Sequence, residues 1–425
     1  MINPMPKSID RGPNLSAERF VKRYRSEKYF KYLGLFAIGI ALSMLIVLTS
    51  SIIFKGHSAF WQTHIAIDVQ ITSEDVASIS NANFRGITRT SIRSEFPEVK
   101  SRRDKKQLYK LFSNGISFEI KEYFFKNKIQ SGGIYRVWVK ASADIDMLRK
   151  GFINRDLEET NRRISDKQLK WYDQLDQEGR IEKKFNVTFF TAADSREPEQ
   201  AGILGALVGS ILTLFITLIL SFPIGVGAAI YLEEFAKKNY WSDLIEVNIN
   251  NLAAVPSIVF GLLGLAVLLN WFGMPRSAPI AGGAVLALMT LPTIIISSRS
   301  ALKAVPPSIR EAALGMGASR LQTMLHHVVP LAMPGMLTGA IIGMAQALGE
   351  TAPLLMMGMV AFIVDVPGNL TDAATVLPVQ IFLWADAPER AFVERTSAAI
   401  MVLLLFLVTM NLVAILLRKY FERRW

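Results

Sequence analysis

The sequence contains no cysteine and only four histidines among its 425 residues. The absence of cysteine excludes disulfide bonds and thiolate ligands, and the histidines lack the spacing of a metal centre. A G-x-x-x-x-G-K-[ST] phosphate loop and a G-x-S-x-G nucleophile elbow are also missing. The sequence therefore predicts no metal site and no catalytic residue in this chain.

Charged side chains are almost absent from six long apolar runs. Each run is close to or above the ~20 residues that span a bilayer, so we expect six transmembrane helices. The first run exceeds 20 residues and lacks an A-x-A cleavage pattern, which favours a retained anchor over a signal peptide. The runs cover residues 32–54, 202–232, 252–272, 280–298, 336–364 and 398–417.

The distribution of Lys and Arg predicts the orientation of these helices. Residues 1–31 contain eight, residues 299–334 four and residues 418–425 four, against one in 273–279 and two in 365–397. Short segments rich in Lys and Arg stay in the cytoplasm. Both termini and the 299–334 loop are therefore predicted to be cytoplasmic.

Residues 55–200 carry 26 Lys and Arg and 21 Asp and Glu. Segments longer than ~60 residues cross the membrane largely regardless of charge, so we expect an external, periplasmic domain. Its patterning mixes alternating and helical periods, which is typical of a small α+β fold. Predicted strands cover 64–71, 135–141 and 184–190, and predicted helices cover 105–125 and 158–176.

These features predict an all-α polytopic membrane protein with six transmembrane helices and an α+β periplasmic insert. Its expected segments are a cytoplasmic tail (1–31), a first transmembrane helix (32–54), the periplasmic domain (55–200) and a five-helix core (201–425).

The 299–334 loop carries the most specific local signals. Pro306 and Pro307 suit a helix start, where a missing N–H costs nothing, and Gly317 suits a C-terminal cap with positive φ. Ser319 followed by a glutamine three residues later forms a capping-box pattern. We expect two short helices on a tight turn, the second closed by Pro330.

The spacing of Glu311, Ala312, Ala313, Gly317 and a distal proline resembles the EAA loop of ABC importer permeases. That resemblance implies a fold of the type I importer permeases and a loop that docks into the ATPase subunit. Glu311, Ala312, Ala313 and Gly317 are then the residues that couple the permease to the ATPase. Glu311 also stabilises the positive end of its helix, and the small residues allow a partner surface to approach closely.

Four further motifs resemble the A-type (PstA-like) permease of the bacterial phosphate-specific importer. They are Val255-Pro-Ser-Ile-Val-Phe-Gly261, Leu291-Pro-Thr-Ile294, Gly349-Glu-Thr-Ala-Pro-Leu-Leu355 and Leu377-Pro-Val-Gln-Ile-Phe382. The resemblance implies a second, homologous permease in a heterodimer, a dimeric ATPase that binds the ATP, and a periplasmic phosphate-binding protein. It implies a multi-pass protein of the inner membrane that contacts lipid, transports phosphate, needs no cofactor of its own and binds no nucleic acid.

Glu350 is the only carboxylate inside the apolar runs. A charge at the bilayer centre costs about 2.5–3.5 kcal/mol, so Glu350 is expected to face protein or water. Small residues recur every four positions before it, at Gly339, Gly343 and Ala347, which favours close packing by another helix. Pairing with a partner arginine, gating, and a purely structural role all remain open. Direct binding of phosphate is disfavoured because an ionised carboxylate repels an anion.

This chain places no Lys or Arg in the central membrane layer, so its donors to an anion must be hydroxyls, amides and backbone N–H groups at broken helices. The candidate pathway residues are Glu350, Gln346, Thr351, Ser257 and Thr293. An importer of sulfate or molybdate is the alternative within the transporter class. A membrane sensor with a periplasmic domain is the alternative from another class, although it predicts a signalling domain that the eight residues after Leu417 do not supply.

Overall fold

The computed structural model describes residues 17–71, 82–127, 133–360 and 362–421, with side chains from Arg23 onward. The expected N-terminal tail therefore lies partly outside the described residues. Residues 1–54 form one compact unit and residues from Lys55 onward form a second. The first unit holds most of a single helix, α1 (Ala17–Gly56), whose apolar part is long enough to cross a membrane.

A three-stranded antiparallel sheet organises residues 57–200, which we call the insert. The sheet consists of β1 (Trp61–Gln70), β2 (Ile134–Lys140) and β3 (Ile181–Phe185) in the order β2-β1-β3. In the central strand Ile65 pairs with Val139 on one side and Ile181 on the other. All three side chains are buried in the core of the insert, where apolar burial supplies most of the stabilisation.

Six helices pack around this sheet in the part of the insert that the structure describes. They are α2 (Phe84–Glu95), α3 (Arg102–Tyr109), α4 (Ile116–Lys126), α5 (Ala143–Arg149), α6 (Asp166–Gln177) and α7 (Val187–Thr191) in the insert proper, with α8 following after the short 3₁₀ turn Pro198–Gln200. The α+β composition predicted for this segment is confirmed. The predictions missed α2 and α5.

Three predicted elements of the insert have wrong bounds. The helix predicted over 105–125 is broken between α3 and α4 because Ser113 N–H donates to the carbonyl of Lys140 (3.0 Å) at the end of β2. The helix predicted from residue 158 begins only at Asp166, where Ser165 and Gln168 form a capping box. The strand predicted over 184–190 ends early because the Asn186 side chain accepts from Phe189 N–H (3.1 Å) and starts α7.

The remaining chain forms a helical core whose pieces are joined by π-helical and broken segments. The helices are α8 (Leu204–Ile230), α9 (Tyr240–Ala253), α10 (Ser257–Leu263), α11 (Pro279–Lys303), α12 (Pro307–Gly315), α13 (Arg320–Thr323), α14 (Val329–Gly349), α15 (Ala352–Met356), α16 (Leu377–Ala385) and α17 (Ala391–Phe421). Among the described residues, five helices are long and apolar enough to cross a membrane, and the count is six if the bent pair α9 and α10 forms one span.

Two of the predicted membrane helices are broken. The run 252–272 contains a 106° bend between α9 and α10, where Pro256 disfavours helical geometry at the preceding residue. The run 336–364 is interrupted after Gly349, because Glu350 has extended backbone angles. Pro353 has no N–H for the carbonyl of Gly349 and sits instead in the first turn of α15.

The prediction that Pro330 closes the second loop helix is also wrong. The helix that starts at Arg320 continues through the π-helical segment Met324–Val328 into α14. Pro330 lies in the first turn of α14, where a missing N–H is tolerated after a π-bulge has shifted the hydrogen-bond register. The loop is thus continuous with a membrane-length helix.

Glycines on α14 lie directly against α11. A Cβ added to Gly339 would lie 2.4 Å from the Cβ of Ser297, and one added to Gly335 would lie 2.5 Å from the Cβ of Ala301. Real Cβ atoms do not approach so closely, so the two backbones meet only because these residues are small. The predicted packing stripe is confirmed, and it pairs with a helix of the same chain.

Candidate functional site

The loop between α11 and α14 ends its first helix in a tight glycine turn. Gly317 has φ +87°, and its N–H donates to Leu314 O (2.9 Å) while Ala318 N–H donates to Ala313 O (3.1 Å). This pair of bonds is a Schellman motif, which requires a left-handed residue at the glycine position. The predicted cap at Gly317 and the capping box at Ser319 are both confirmed.

One side of this loop presents apolar side chains to solvent. We call the group the loop face: its members are Leu314, Met316, Leu321 and Leu325, which are 45%, 79%, 56% and 51% exposed. Glu311 and Ala312 are exposed as well, whereas Ala313 is buried. A contiguous apolar surface rimmed by polar groups is typical of an interaction site.

Arg310 links the loop to the helical core through hydrogen bonds. Its Nε donates to Glu234 Oε1 (2.8 Å), beyond the end of α8, and its Nη atoms donate to the carbonyls of Leu302 (2.9 Å) and Val305 (2.8 Å) at the end of α11. A cation at a helix C-terminus satisfies carbonyls that have no partner inside the helix. A displacement of the loop is therefore transmitted to α8 and α11 as well as to α14.

Arg299 lies in the same region and forms ion pairs inside the chain. Its Nη2 lies 3.0 Å from Glu246 Oε2 and its Nε 3.5 Å from Glu233 Oε2. Lys303 Nζ lies 3.7 Å from the same Glu233 oxygen. These ion pairs join the middle of α9 and the π-helical segment after α8 to the last turns of α11.

Two of the candidate pathway residues, Glu350 and Thr351, lie in the helix break that follows α14. The helix α10, which begins at Ser257, packs on α15 so closely that a Cβ on Gly261 would lie 2.7 Å from Pro353 Cα. The break therefore lies beside the second broken helix of the core. Glu350 and Thr351, within the break, are both half-buried.

Gln346 and Thr293 lie on the helices that lead to this break. Gln346 is exposed, so its amide is not part of the packed stripe of α14. Thr293 is half-buried on α11, one turn from Thr290, and a Cβ added to Gly343 would lie 3.4 Å from Thr290 Cβ. The structure thus places the five candidates on three neighbouring units: α10, α11 and the α14–α15 break.

The sequence does not show whether Glu350 has an ion-pair partner within this chain. Across residues 23–71, 82–127, 133–360 and 362–421, no Lys or Arg lies within ion-pair distance of its carboxylate. The same part of the chain holds no group of three His, Cys, Asp or Glu side chains that could bind a metal ion.

The sequence did not indicate the buried charges where the insert meets α17. Arg395 is 1% exposed, and its Nη2 donates to Gln62 Oε1 (2.7 Å) and its Nη1 to Ala201 O (3.2 Å). Lys150 Nζ lies 2.7 Å from Glu394 Oε1 and 2.6 Å from Asp146 Oδ2. We call these side chains the insert junction. The one feature of the sequence that indicates this cluster is the pair Glu394-Arg395, just before the apolar run 398–417.

The junction also contains neutral partners that complete its hydrogen bonds. Ser58 Oγ donates to Glu394 Oε2 (2.7 Å), and Thr63 N–H donates to Asp146 Oδ1 (2.8 Å). Burial raises the pKa of the nearby Glu199, which favours its neutral form. Two basic side chains, Lys150 and Arg395, thus lie among two acidic ones, Asp146 and Glu394, so their formal charges balance.

Comparison with known proteins identifies the class. Residues 221–425 match the family described as binding-protein-dependent transport system inner membrane component. The chain is 31% identical over 232 residues to the phosphate transport system permease protein PstA 1 of Mycobacterium tuberculosis (strain CDC 1551 / Oshkosh), which covers 53% of this chain and 74% of that protein. The chain therefore belongs to the family of ABC transporter permeases, multi-pass proteins of the inner membrane. Within that family it is a PstA-like permease, as its motifs predicted.

Other similarities are more limited in extent. The probable ABC transporter permease protein YqgI of Bacillus subtilis (strain 168) is 35% identical over 172 residues, which are 40% of this chain and 58% of that protein. A solved structure of the MetNI methionine ABC transporter matches 51% of this chain and 97% of its own at a TM-score of 0.39 and 19% identity. Residues 17–159, including part of the insert, match a domain of unknown function, DUF3333.

Proposed function

We propose that this chain is one of two permease subunits of an ATP-driven importer and that its loop face docks on the ATPase. The observation that carries this proposal is an exposed apolar loop face on helices that Arg310 links to the ends of α8 and α11 and that continue into α14. Such a loop transmits movement from a bound partner to the core. The loop and both termini are then cytoplasmic, and the insert is periplasmic.

The proposed substrate is inorganic phosphate. The relatives named phosphate transport system permease PstA support it, and sulfate or molybdate remain the competing substrates. ATP is bound and hydrolysed by the ATPase dimer, and this chain contributes no catalytic group and no cofactor. A homologous permease and a periplasmic phosphate-binding protein complete the proposed assembly.

In the proposed mechanism ATP binding closes the ATPase dimer and pushes on Glu311, Ala312, Ala313 and Gly317. The continuous helix from Arg320 to Gly349 carries that movement to Glu350. Ser257, Thr293, Gln346 and Thr351 supply uncharged donors beside the break. Broken helices of this kind expose backbone N–H groups to a solute at membrane depth.

Replacing Glu350 by glutamine is expected to slow phosphate uptake at least tenfold. The carboxylate is half-buried at the helix break, and the proposed pairing or gating needs its charge or its proton. Uptake of radiolabelled phosphate is measured in cells that lack their own importer and express this chain with its neighbouring transport genes.

The matched control is Asp386→Asn, which removes an exposed carboxylate just after α16. Equal membrane levels are verified by immunoblot. Unchanged uptake in Glu350→Gln would contradict pairing or gating and would leave Glu350 with a structural role alone. Competition of uptake by sulfate or molybdate at equal concentration would move the substrate assignment to the other oxyanion.

A further inference from the structure

A cavity of about 430 Å³ lies between the insert and the first residue of α17. Sites for small ligands commonly occupy roughly 300–1,000 Å³. Three arginines line the cavity, Arg162 and Arg163 from the insert and Arg390 just before α17, together with one carboxylate, Asp144. The lining therefore carries a surplus of positive charge.

Arg162 is the most constrained of these cations. Its side chain is 5% exposed and pairs with Asp166, and its Nη1 donates to Arg155 O (2.8 Å). Its Nε is buried and has no hydrogen-bond partner among the residues that the structure describes. A buried donor without a partner is unfavourable, and most such groups meet a ligand or an ordered water.

The other two arginines are exposed on the cavity wall. Arg163 Nη2 donates only to Pro388 O (3.3 Å), and Arg390 forms no ion pair within the described part of the chain. Of the nearby carboxylates, Asp166 is occupied by Arg162 and Glu389 lines a different pocket with Asp194. Asp144 is the one carboxylate among the lining residues, and Asp156, Glu158 and Glu159 lie at exposed neighbouring positions outside that lining.

The wall of the cavity includes Ala391, the first residue of the 31-residue helix α17. The positive end of a helix dipole favours negative charge. Guanidinium groups match the oxygens of phosphate with paired N–H donors. The end of α17 and the three arginines therefore both favour an anionic ligand that carries a phosphate group.

We propose that this cavity binds a phosphate group through Arg162, Arg163 and Arg390. Free inorganic phosphate and the headgroup of an anionic phospholipid share this chemistry, and α17 brings the cavity to the end of a membrane-length helix. The site lies apart from the pathway residues around Glu350. It holds whether or not phosphate is the transported solute.

The test compares purified full-length chain with the double variant Arg163→Gln, Arg390→Gln. Both side chains are exposed, so the fold should survive their replacement, whereas Arg162 is left in place for its contact with Asp166. The matched control is Arg102→Gln, Arg103→Gln, which removes the same charge from exposed positions on α3.

Melting temperatures are measured at constant ionic strength in two arms: detergent with increasing inorganic phosphate, and nanodiscs of phosphatidylglycerol or phosphatidylcholine. Stabilisation by inorganic phosphate whose midpoint shifts at least tenfold in the double variant but not in the control supports a site for free phosphate. Stabilisation only by phosphatidylglycerol, lost in the same variant, supports a lipid headgroup site. A double variant that responds like the control in both arms overturns the proposal.

Discussion

Replacement of Arg395 by methionine is expected to destabilise the protein by roughly 1–3 kcal/mol for each of the two buried acceptors that lose their donor. The substitution removes the donors to Gln62 and Ala201. Asp146 and Glu394 would keep Lys150 as their ion-pair partner. Of the substitutions considered, this one has the largest expected effect on folding.

The measurement is the melting temperature of purified protein in detergent, followed by size-exclusion chromatography of heated samples. The control is Arg276→Met, which removes a guanidinium from an exposed position between α10 and α11 and should change stability by no more than about 0.5 kcal/mol. Equal melting temperatures for the Arg395 and Arg276 variants would show that the junction does not hold the insert in place.

Replacement of Met316 by aspartate is expected to weaken the association with the ATPase at least tenfold. Met316 is 79% exposed at the tip of the loop face, and apolar side chains at the centre of an interface cost 2 kcal/mol or more when lost, which is about thirtyfold in affinity. The added carboxylate would also be desolvated on docking. Co-purification of the ATPase with tagged permease measures the effect.

Met316→Leu is the matched control, because it keeps apolar character and nearly the same volume. Glu311→Lys tests the same surface by charge reversal. Gly317→Asp tests it by adding a charged side chain at a positive-φ position that glycine adopts without strain. Undiminished co-purification and ATP-dependent uptake in the aspartate variants would refute docking through this loop. Loss in the leucine variant as well would point to a folding defect.

The local signals of the loop were sufficient to predict its geometry. Paired prolines, a glycine at C′ and a Ser-x-x-Gln box act within four or five residues, so neighbouring sequence determines the outcome. The end at Pro330 was mispredicted because the π-helical segment before it depends on packing against the rest of the core. Propensity alone does not reveal such a bulge.

The apolar runs predicted the number of transmembrane helices better than the residues at which each helix begins and ends. A run shows only that a segment tolerates an apolar environment, so the bend near Pro256 and the break at Glu350 fell inside runs that looked continuous. The beginning of α17 was missed for the opposite reason. Glu394 and Arg395 interrupt the apolar pattern, yet they are buried because their partners come from β1, α5 and Ala201, far away in the sequence.

The guanidinium of Arg395 touches both ends of the insert. Gln62 lies at the start of β1 and Ala201 follows the last turn of the insert, and both accept hydrogen bonds from this one side chain. The domain thus leaves and rejoins the chain at nearly the same point, an arrangement that tolerates domain insertion. Removal of the insert would leave only a short gap to bridge, but Arg395 and Glu394 would lose Gln62 and Lys150, their buried partners from the insert.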